Sequence, residues 1–387
     1  MEDMETQFSP PPGSAGVLRV LMISKACVVG TYQRKLEEIA AHPGIALTVV
    51  VPPFWVDARG VLELERAYTD GYRLRVEPVR FNGRFHLHHY PGLARVMAET
   101  QPHIVHVDEE PYNLATFQAV RLARRFGARS VFFSWQNLYR RYPFPFAQME
   151  HWVLRHADWG IVGNREAVDV WRRKGYQGPL AVIPQFGVDP AVFSPGPAAP
   201  LERPFTVGYA GRFVPEKGVD LLIRAIAMLP GRWLLRLLGD GPQRDELREM
   251  AGVYNISGSV RFEAPRPSVE MPAFYRELDA LVLPSRTRTN WKEQFGRVLI
   301  EAMACGVPVI GASSGAIPEV IGEAGLLFAE GDIEALRRHL HTLAENPELR
   351  QALSQAGRRR VLNHFTQQRV AEQTIEVYRA VAGEVPA

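Results

Sequence analysis

The 387 residues carry 45 Lys and Arg against 42 Asp and Glu, and the resulting formal charge of +3 is too small to argue for a nucleic-acid partner. With 46% hydrophobic and 22% charged residues, the composition is that of a soluble globular chain long enough for two or three domains. No apolar run approaches the ~20 residues of a membrane span, and the only cysteines, Cys27 and Cys305, each sit inside an apolar element, which excludes a disulfide framework and suits a reducing, cytoplasmic compartment.

Met1 to Gly16 is acidic and then rich in Pro, Gly and Ser. It lacks the basic start and apolar core of a signal peptide and is expected to be disordered. Leu18 to Ser24 reads as a buried parallel strand. Lys25 to Gly30 then forms a loop and Thr31 to Ala41 a helix, so Gly30 stands where doubly wound folds bind a phosphate or a substrate. Ile45 to Val51 and Arg73 to Val79 read as strands, Phe81 to His89 as a loop or short strand, and Pro91 to Thr100 as a helix with Pro91 in its first turn. His86, His88 and His89 cluster without a zinc spacing, and no metal site is expected.

The strand Ile104 to Val107 ends in Asp108, Glu109 and Glu110. Carboxyl ends of parallel strands are where open α/β sheets bind ligands, so these carboxylates are candidate acceptor or sugar contacts. The strand Ser130 to Ser134 runs into Trp135 and Asn137, an aromatic ring beside an amide, which suits a sugar's C–H face and hydroxyls. A helix from Pro145 to His156, a strand from Trp159 to Gly163 and a helix from Arg165 to Gly175 follow. Between Tyr112 and Gly175 eleven Arg and Lys face four Asp and Glu, a patch able to meet an anionic membrane surface or a phosphorylated acceptor. Ser194 to Pro204 has linker composition and marks a domain boundary.

The second half opens with the strand Phe205 to Ala210, the loop Gly211-Arg-Phe-Val-Pro-Glu-Lys-Gly218 and a helix to Leu229. This puts Arg212 and Lys217 at a strand's carboxyl end beside a helix start, where two cations can clamp a diphosphate. Strands at Trp233 to Leu238, Val260 to Phe262, Ala280 to Leu283 and Val307 to Ile310 continue the alternation. Between the last two lies Asn290-Trp-Lys-Glu-Gln-Phe-Gly-Arg-Val-Leu-Ile-Glu-Ala-Met-Ala-Cys-Gly306. Gly296 is read at the start of a helix whose free N–H groups suit a phosphate, with carboxylates at Glu293 before it and Glu301 within it. Leu326 to Phe328 is a last strand, and helices follow at Asp332 to Ala344, Pro347 to Asn363 and Thr366 to Val381.

The Glu293-to-Glu301 stretch, with Phe295-Gly296 inside and Glu301-Ala-Met-Ala-Cys-Gly-Val-Pro-Val309 after it, resembles the family 4 retaining glycosyltransferases, whose signature is a Glu, seven residues and a Glu. The resemblance extends from about Leu18 to Val381 and is strongest from Thr206 to Gly331. Val182-Ile-Pro-Gln-Phe-Gly-Val-Asp189 is similar to the family's hinge. Two departures stand out: the first loop carries one glycine, Gly30, where the family has a pair, and Asp108 replaces the second histidine of a His-x-His-Glu-Pro sequence that begins at His106.

The resemblance implies a GT-B fold: two doubly wound Rossmann-like domains facing across a central cleft. An acceptor-binding domain would span 17–195, joined by a crossing helix at 366–387, and a nucleotide-sugar domain 203–365. It implies metal-independent, retaining transfer of a sugar from a nucleotide diphosphate to a hydroxyl acceptor, with no cofactor. Arg212, Lys217 and Glu293 would be catalytic. Gly30, Gly211, Arg266, Phe295, Gly296, Arg297 and Glu301 would hold the donor, and His106, Asp108, Glu109, Glu110, Trp135 and Asn137 the acceptor. The other readings are a nucleotide-sugar epimerase on the same fold, a non-catalytic sugar-nucleotide binding subunit, and a dehydrogenase. The last would want Gly-x-Gly-x-x-Gly after the first strand, and Lys25 to Gly30 does not supply it.

Overall fold

Leu18–Ile23 (β1) is buried at five of six positions and is an interior strand of a sheet. Its side chains alternate between two cores. Val20 and Met22 join one apolar cluster, Leu21 and Ile23 the other, as the twofold repeat of a strand requires when both faces are covered. The computed structural model describes residues 16–57, 60–197 and 202–383. Of the N-terminal stretch read as disordered, residues 1–16, all but Gly16 lie outside the described residues, as do 198–201 in the Pro/Ala-rich segment.

After β1 come Ile45–Val51 (β2), an antiparallel hairpin of Phe54–Asp57 (β3) and Gly60–Glu63 (β4), Arg73–Val76 (β5), Ile104–Val107 (β6), Arg129–Ser134 (β7), Trp159–Val162 (β8) and Leu180–Val182 (β9). Seven of these form a parallel sheet in the order β5-β2-β1-β6-β7-β8-β9. The order reverses between β1 and β6, so the loops after those two strands diverge and leave a crevice at the carboxyl edge. Six further strands, Phe205–Ala210 (β10), Trp233–Leu238 (β11), Val260–Glu263 (β12), Ala280–Leu283 (β13), Val309–Ala312 (β14) and Leu326–Phe328 (β15), form a second parallel sheet in the order β12-β11-β10-β13-β14-β15. Its reversal falls between β10 and β13.

The chain divides into two units, one comprising 1–163, 167–186 and 367–387, the other 164–166 and 187–366. The passage between them at Phe186–Gly187 lies upstream of the Pro/Ala-rich segment. Residues 187–196 instead pack on the second sheet's helices: Phe365 O accepts from Val188 N at 2.8 Å, and Arg276 Nε donates to Ser194 O at 2.7 Å. The last helix, Gln367–Ala382, returns to the first unit. There Val370, Ile375 and Tyr378 close the core over Val20, Leu47 and Val49.

Local differences from the sequence reading have physical causes. The helix expected from Thr31 begins at Arg34, because Lys25–Val28 and Gly30–Tyr32 take up tighter 3-10 turns. Helices Leu114–Arg125, Arg244–Val253 and Met271–Arg276 and the short edge strand β9 are additional to the elements read from the sequence. Cys27 and Cys305 are free thiols, each pushed by burial up to about 12 and so protonated and inert at neutral pH.

The returning helix is tied by polar chemistry as well. Tyr378 Oη and His106 Nδ1 are 2.7 Å apart and both buried, and burial lowers the His106 imidazole to about 4. A Tyr378→Phe variant strips the neutral imidazole of this partner. It should lose about 1–3 kcal/mol of stability, the cost of an orphaned buried polar group, read as a lower urea midpoint at pH 7 with an unchanged slope.

Candidate functional site in the second unit

Four loops meet at the carboxyl edge of the second sheet, and glycines let them pack backbone against backbone. Gly239 after β11 has φ +148°, and a Cβ there would run into the carbonyl oxygen of Gly211 after β10. Gly218 has φ +65°, and a Cβ on it would strike the carbonyl oxygen of Pro284 after β13. Hydrogen bonds complete the stitching. Phe213 N donates to Asp240 O at 2.8 Å and Arg286 N to Glu216 O at 2.7 Å.

This framework fixes Lys217 against Glu293. Lys217 Nζ donates to Glu293 Oε2 at 2.6 Å, and Ser285 Oγ donates to the same oxygen at 2.9 Å. Trp291 lies 4.9 Å from the ammonium, close enough for a cation–π contact. The main chain of Glu293 is held too, its carbonyl accepting from Ala316 N at 3.0 Å in the loop after β14. A Cβ on Gly315 would collide with that carbonyl. Arg212 stands on the same loop as Lys217. Its carbonyl accepts from Tyr209 Oη at 2.8 Å, and its side chain is exposed without an ion pair among the described residues.

Gly296 has φ +77° and caps the helix Arg297–Ala304, one residue ahead of the first helical position. A Cβ there would stand 2.9 Å from a methyl of Leu283. Only glycine therefore fits the turn that points this helix start at the sheet edge. Glu301 is buried, and its two oxygens are already divided: Tyr275 Oη donates to one at 2.7 Å and Arg297 Nε to the other at 2.6 Å. Each carboxylate oxygen has a second lone pair free for a hydroxyl. Phe295 is buried edge-on to Phe365. Arg266 donates to Glu263 Oε2 at 2.5 Å in a network with Arg236, which also grips Glu263 through Nε at 2.6 Å and Nη2 at 2.9 Å. The structure thus puts Lys217 and Glu293 in contact, places Arg212, Gly211 and Gly296 on the loops that carry them, and sets Arg266 three residues past the end of β12. The positioning groups Ser285, Trp291 and Tyr275 escape sequence reasoning. Ser285, two residues past β13, carries the one usable signal, its place at a strand's carboxyl end.

In the first unit the candidate acceptor residues are engaged internally. Asp108 accepts from Ser24 Oγ at 2.7 Å. Glu109 pairs with Lys25; burial alone would raise its carboxyl, but the Lys25 charge and His88 pull it down to about 2. Glu110 accepts from Ser134 Oγ at 2.5 Å and Trp135 N at 2.8 Å, yet burial still raises it to about 7. Trp135 Nε1 donates to Gln185 Oε1 at 2.8 Å, and Asn137 is buried. His106 faces Tyr378, so its bond goes to the returning helix. Gly30 differs from expectation: its N–H donates to the Glu65 carboxylate at 2.6 Å, and a Cβ would meet Ala67. That amide is occupied, and an adjacent carboxylate repels a phosphate.

Residues 197–360 match the glycosyl transferases group 1 family and residues 29–185 the glycosyl transferase 4-like domain. The chain belongs to the glycosyltransferases. Over 206 residues it is 34% identical to the GDP-mannose-dependent alpha-(1-6)-phosphatidylinositol monomannoside mannosyltransferase of Mycolicibacterium smegmatis, covering 49% of this chain and 54% of that one. Over 200 residues it is 34% identical to the D-inositol 3-phosphate glycosyltransferase of Salinispora arenicola, covering 48% and 43%. The chain thus spans about half the length of the curated relatives it matches. Its fold is GT-B, shared with the sucrose-phosphate synthase of Thermosynechococcus elongatus (TM-score 0.71, 21% identity, 95% of this chain and 100% of that one). It is also shared with HepE of Anabaena, solved in complex with UDP (TM-score 0.69, 19% identity, 94% and 100%). Among the described residues no helix is long and apolar enough to cross a membrane.

The perturbed Glu110 makes a pH prediction for this glycosyltransferase. Its carboxyl titrates near 7 when folded against an ordinary 4.5, so between those values the folded state holds more of the proton. This group's contribution to stability is therefore full below about 4.5 and falls as pH rises through 7. A Glu110→Gln variant lacks that loss. Its stability relative to wild type should climb from pH 5 to pH 8 by up to about 3 kcal/mol, at 1.36 per unit, in paired urea titrations; a pH-independent difference would contradict the assignment.

Proposed function

We propose that the protein is a retaining, metal-independent glycosyltransferase that moves a sugar from a nucleotide diphosphate to a hydroxyl acceptor in glycan or glycolipid synthesis. One observation carries the reading: Lys217 and Glu293 are in contact at 2.6 Å, and the two loops that hold them also carry the exposed Arg212 and the Gly296 helix start. The cations and the helix N-terminus stand ready for the charge that a leaving diphosphate develops as the glycosidic bond breaks. They stabilise it more in the transition state than in the bound donor, and only that difference accelerates the reaction.

Lys217 supplies a point charge and Arg212 a fork that bonds two phosphate oxygens; together they take the place of a divalent ion, and no cofactor is needed. Glu293 orients Lys217 and accepts a hydroxyl of the transferred sugar. Glu301, held by Tyr275 and Arg297, accepts the ribose hydroxyls through its remaining lone pairs. In a front-face reaction the departing phosphate oxygen takes the acceptor proton, and configuration is kept without a protein base. The acceptor side comprises the first unit's Asp108, Glu109, Glu110, Trp135 and Asn137. Because the first three are tied internally, they shape its floor, and hydroxyls meet only their spare lone pairs. The hydroxyl is carried by a glycan, a lipid-linked glycan or a small molecule, and the protein works from the cytoplasm against an anionic membrane surface.

The relatives' names make GDP-mannose with an inositol lipid, and a nucleotide sugar with inositol phosphate, the first pairs to assay. A thermal-shift screen of UDP- and GDP-sugars identifies the donor, since a ligand of the folded state raises the melting temperature. With that donor, Lys217→Ala should lower kcat/KM by about 30- to 1,000-fold, the 2–4 kcal/mol typical of one lost charge-stabilising donor. Turnover close to wild type would reject the reading.

A further inference from the structure

Thirteen large apolar side chains are exposed on the described surface, and seven of them, Tyr139 included, are gathered on two loops and a hairpin at the carboxyl edge of the first sheet. Phe81, Phe85 and Leu87 lie on the loop between β5 and helix Leu93–Thr100, and Phe144 lies on the loop after β7, 79% exposed. Phe54 and Val61 stand on the β3–β4 hairpin. The segments are in contact. Asn82 Nδ2 donates to Phe54 O at 2.8 Å and Asn82 Oδ1 accepts from Val56 N at 2.9 Å. His86 packs on Tyr142 with ring centres 5.8 Å apart and on Phe146 at 5.3 Å. The segments that carry the apolar tips are therefore connected through half-buried neighbours.

Charge accompanies them. Arg80, Arg84, Arg140 and Arg141 are all exposed on the same two loops. Neither Arg80 to Ala98 nor Tyr139 to Met149 contains an Asp or Glu. Acidic residues flank the two loops at Glu77, Glu99 and Glu150, of which Glu77 and Glu150 are buried, and stand on the hairpin at Asp57 and Glu63. Exposed phenylalanines interleaved with arginines and free of acids suit one kind of partner. The rings enter the headgroup–acyl boundary while the guanidinium groups stay at the level of the phosphates. An aqueous surface has no use for four exposed Phe side chains in one region.

We propose that this rim, formed by 80–89 and 139–146, docks on the surface of an anionic lipid bilayer. The assignment gives residues to the membrane-surface part of the proposed function, and its test is one of binding alone, so its failure is separable from failure of sugar transfer. The rim shares its sheet edge with Asp108–Glu110 and Trp135. Docking would thus present that edge to hydroxyls borne by lipids.

The test is co-sedimentation of the full chain with vesicles of phosphatidylcholine containing 30 mol% phosphatidylglycerol (about a third anionic, of the order of a charged leaflet) and with pure phosphatidylcholine. Wild type should partition at least about tenfold more strongly to the anionic vesicles and be released by salt at a Debye length of about 3 Å. Phe81→Ser with Phe144→Ser, and separately Arg84→Ser with Arg141→Ser, should each reduce anionic partitioning by about tenfold or more while circular dichroism stays unchanged. Arg124→Ser with Arg125→Ser, the same charge removed from exposed sites at the far end of helix Leu114–Arg125, should leave it unchanged. Wild type remaining in the supernatant, equal binding to both vesicles, persistence of binding in the rim variants, or equal loss in the control pair would each overturn the proposal. So would retention on heparin without vesicle binding, which would mark a soluble polyanion surface.

Discussion

The ion pair of Lys217 with Glu293 is the contact on which the second unit's carboxyl edge depends. A lysine and a buried carboxylate brought together at 2.6 Å lose much of their hydration, and neither is stable there without the other. The geometry tolerates this because every neighbour is fixed. Ser285 takes the second site on the oxygen, Ala316 N holds the main chain of Glu293, and Gly218 lets the lysine's loop lie against Pro284. The loops after β10 and β13 are thereby joined by a charge pair, and the loop after β14 is joined to them by a backbone hydrogen bond. A network of that kind is pre-organised: the cation is already placed before any anion arrives.

The two units use the same topology differently. In the second, the reversal of strand order brings together a lysine, an arginine and a helix start, all suited to negative charge. In the first, the corresponding edge is acidic, and its carboxylates are consumed by their own neighbours. Asp108 is met by Ser24, Glu109 by Lys25, and Glu110 by Ser134 and Trp135. Even the one glycine of the first loop gives its amide to Glu65. At the second unit's sheet edge a diphosphate would meet loop cations and a helix start, whereas the corresponding strand ends of the first unit present carboxylates. This division of labour follows from side-chain charge and holds without regard to how the units are disposed.

Much of this was legible in the sequence. Near-continuous apolar runs such as Leu18–Ile23 and Ala280–Leu283 announce buried parallel strands, and the Glu293, Gly296 and Glu301 spacing announces a loop and helix start. What was not legible depends on contacts between distant segments. No local pattern says that Tyr275 will reach Glu301 or that Tyr378 will reach His106 across 272 residues. Gly30 shows the opposite failure: its position after β1 is right for a phosphate, but Glu65, 35 residues on, takes the amide. The helix Leu114–Arg125 escapes the pattern for another reason. It mixes surface arginines with small buried alanines, which pack on the apolar side chains of β6 in the fold.

The proposed sugar transfer requires that Arg212, Lys217 and the Gly296 helix start form one anion-binding edge for a nucleotide diphosphate. A crystal structure with a bound nucleoside diphosphate decides the point. Phosphate oxygens should lie within hydrogen-bonding distance of Lys217 Nζ, the Arg212 guanidinium and the amides that follow Gly296. A diphosphate seated elsewhere, with Lys217 still bound only to Glu293, would contradict that requirement.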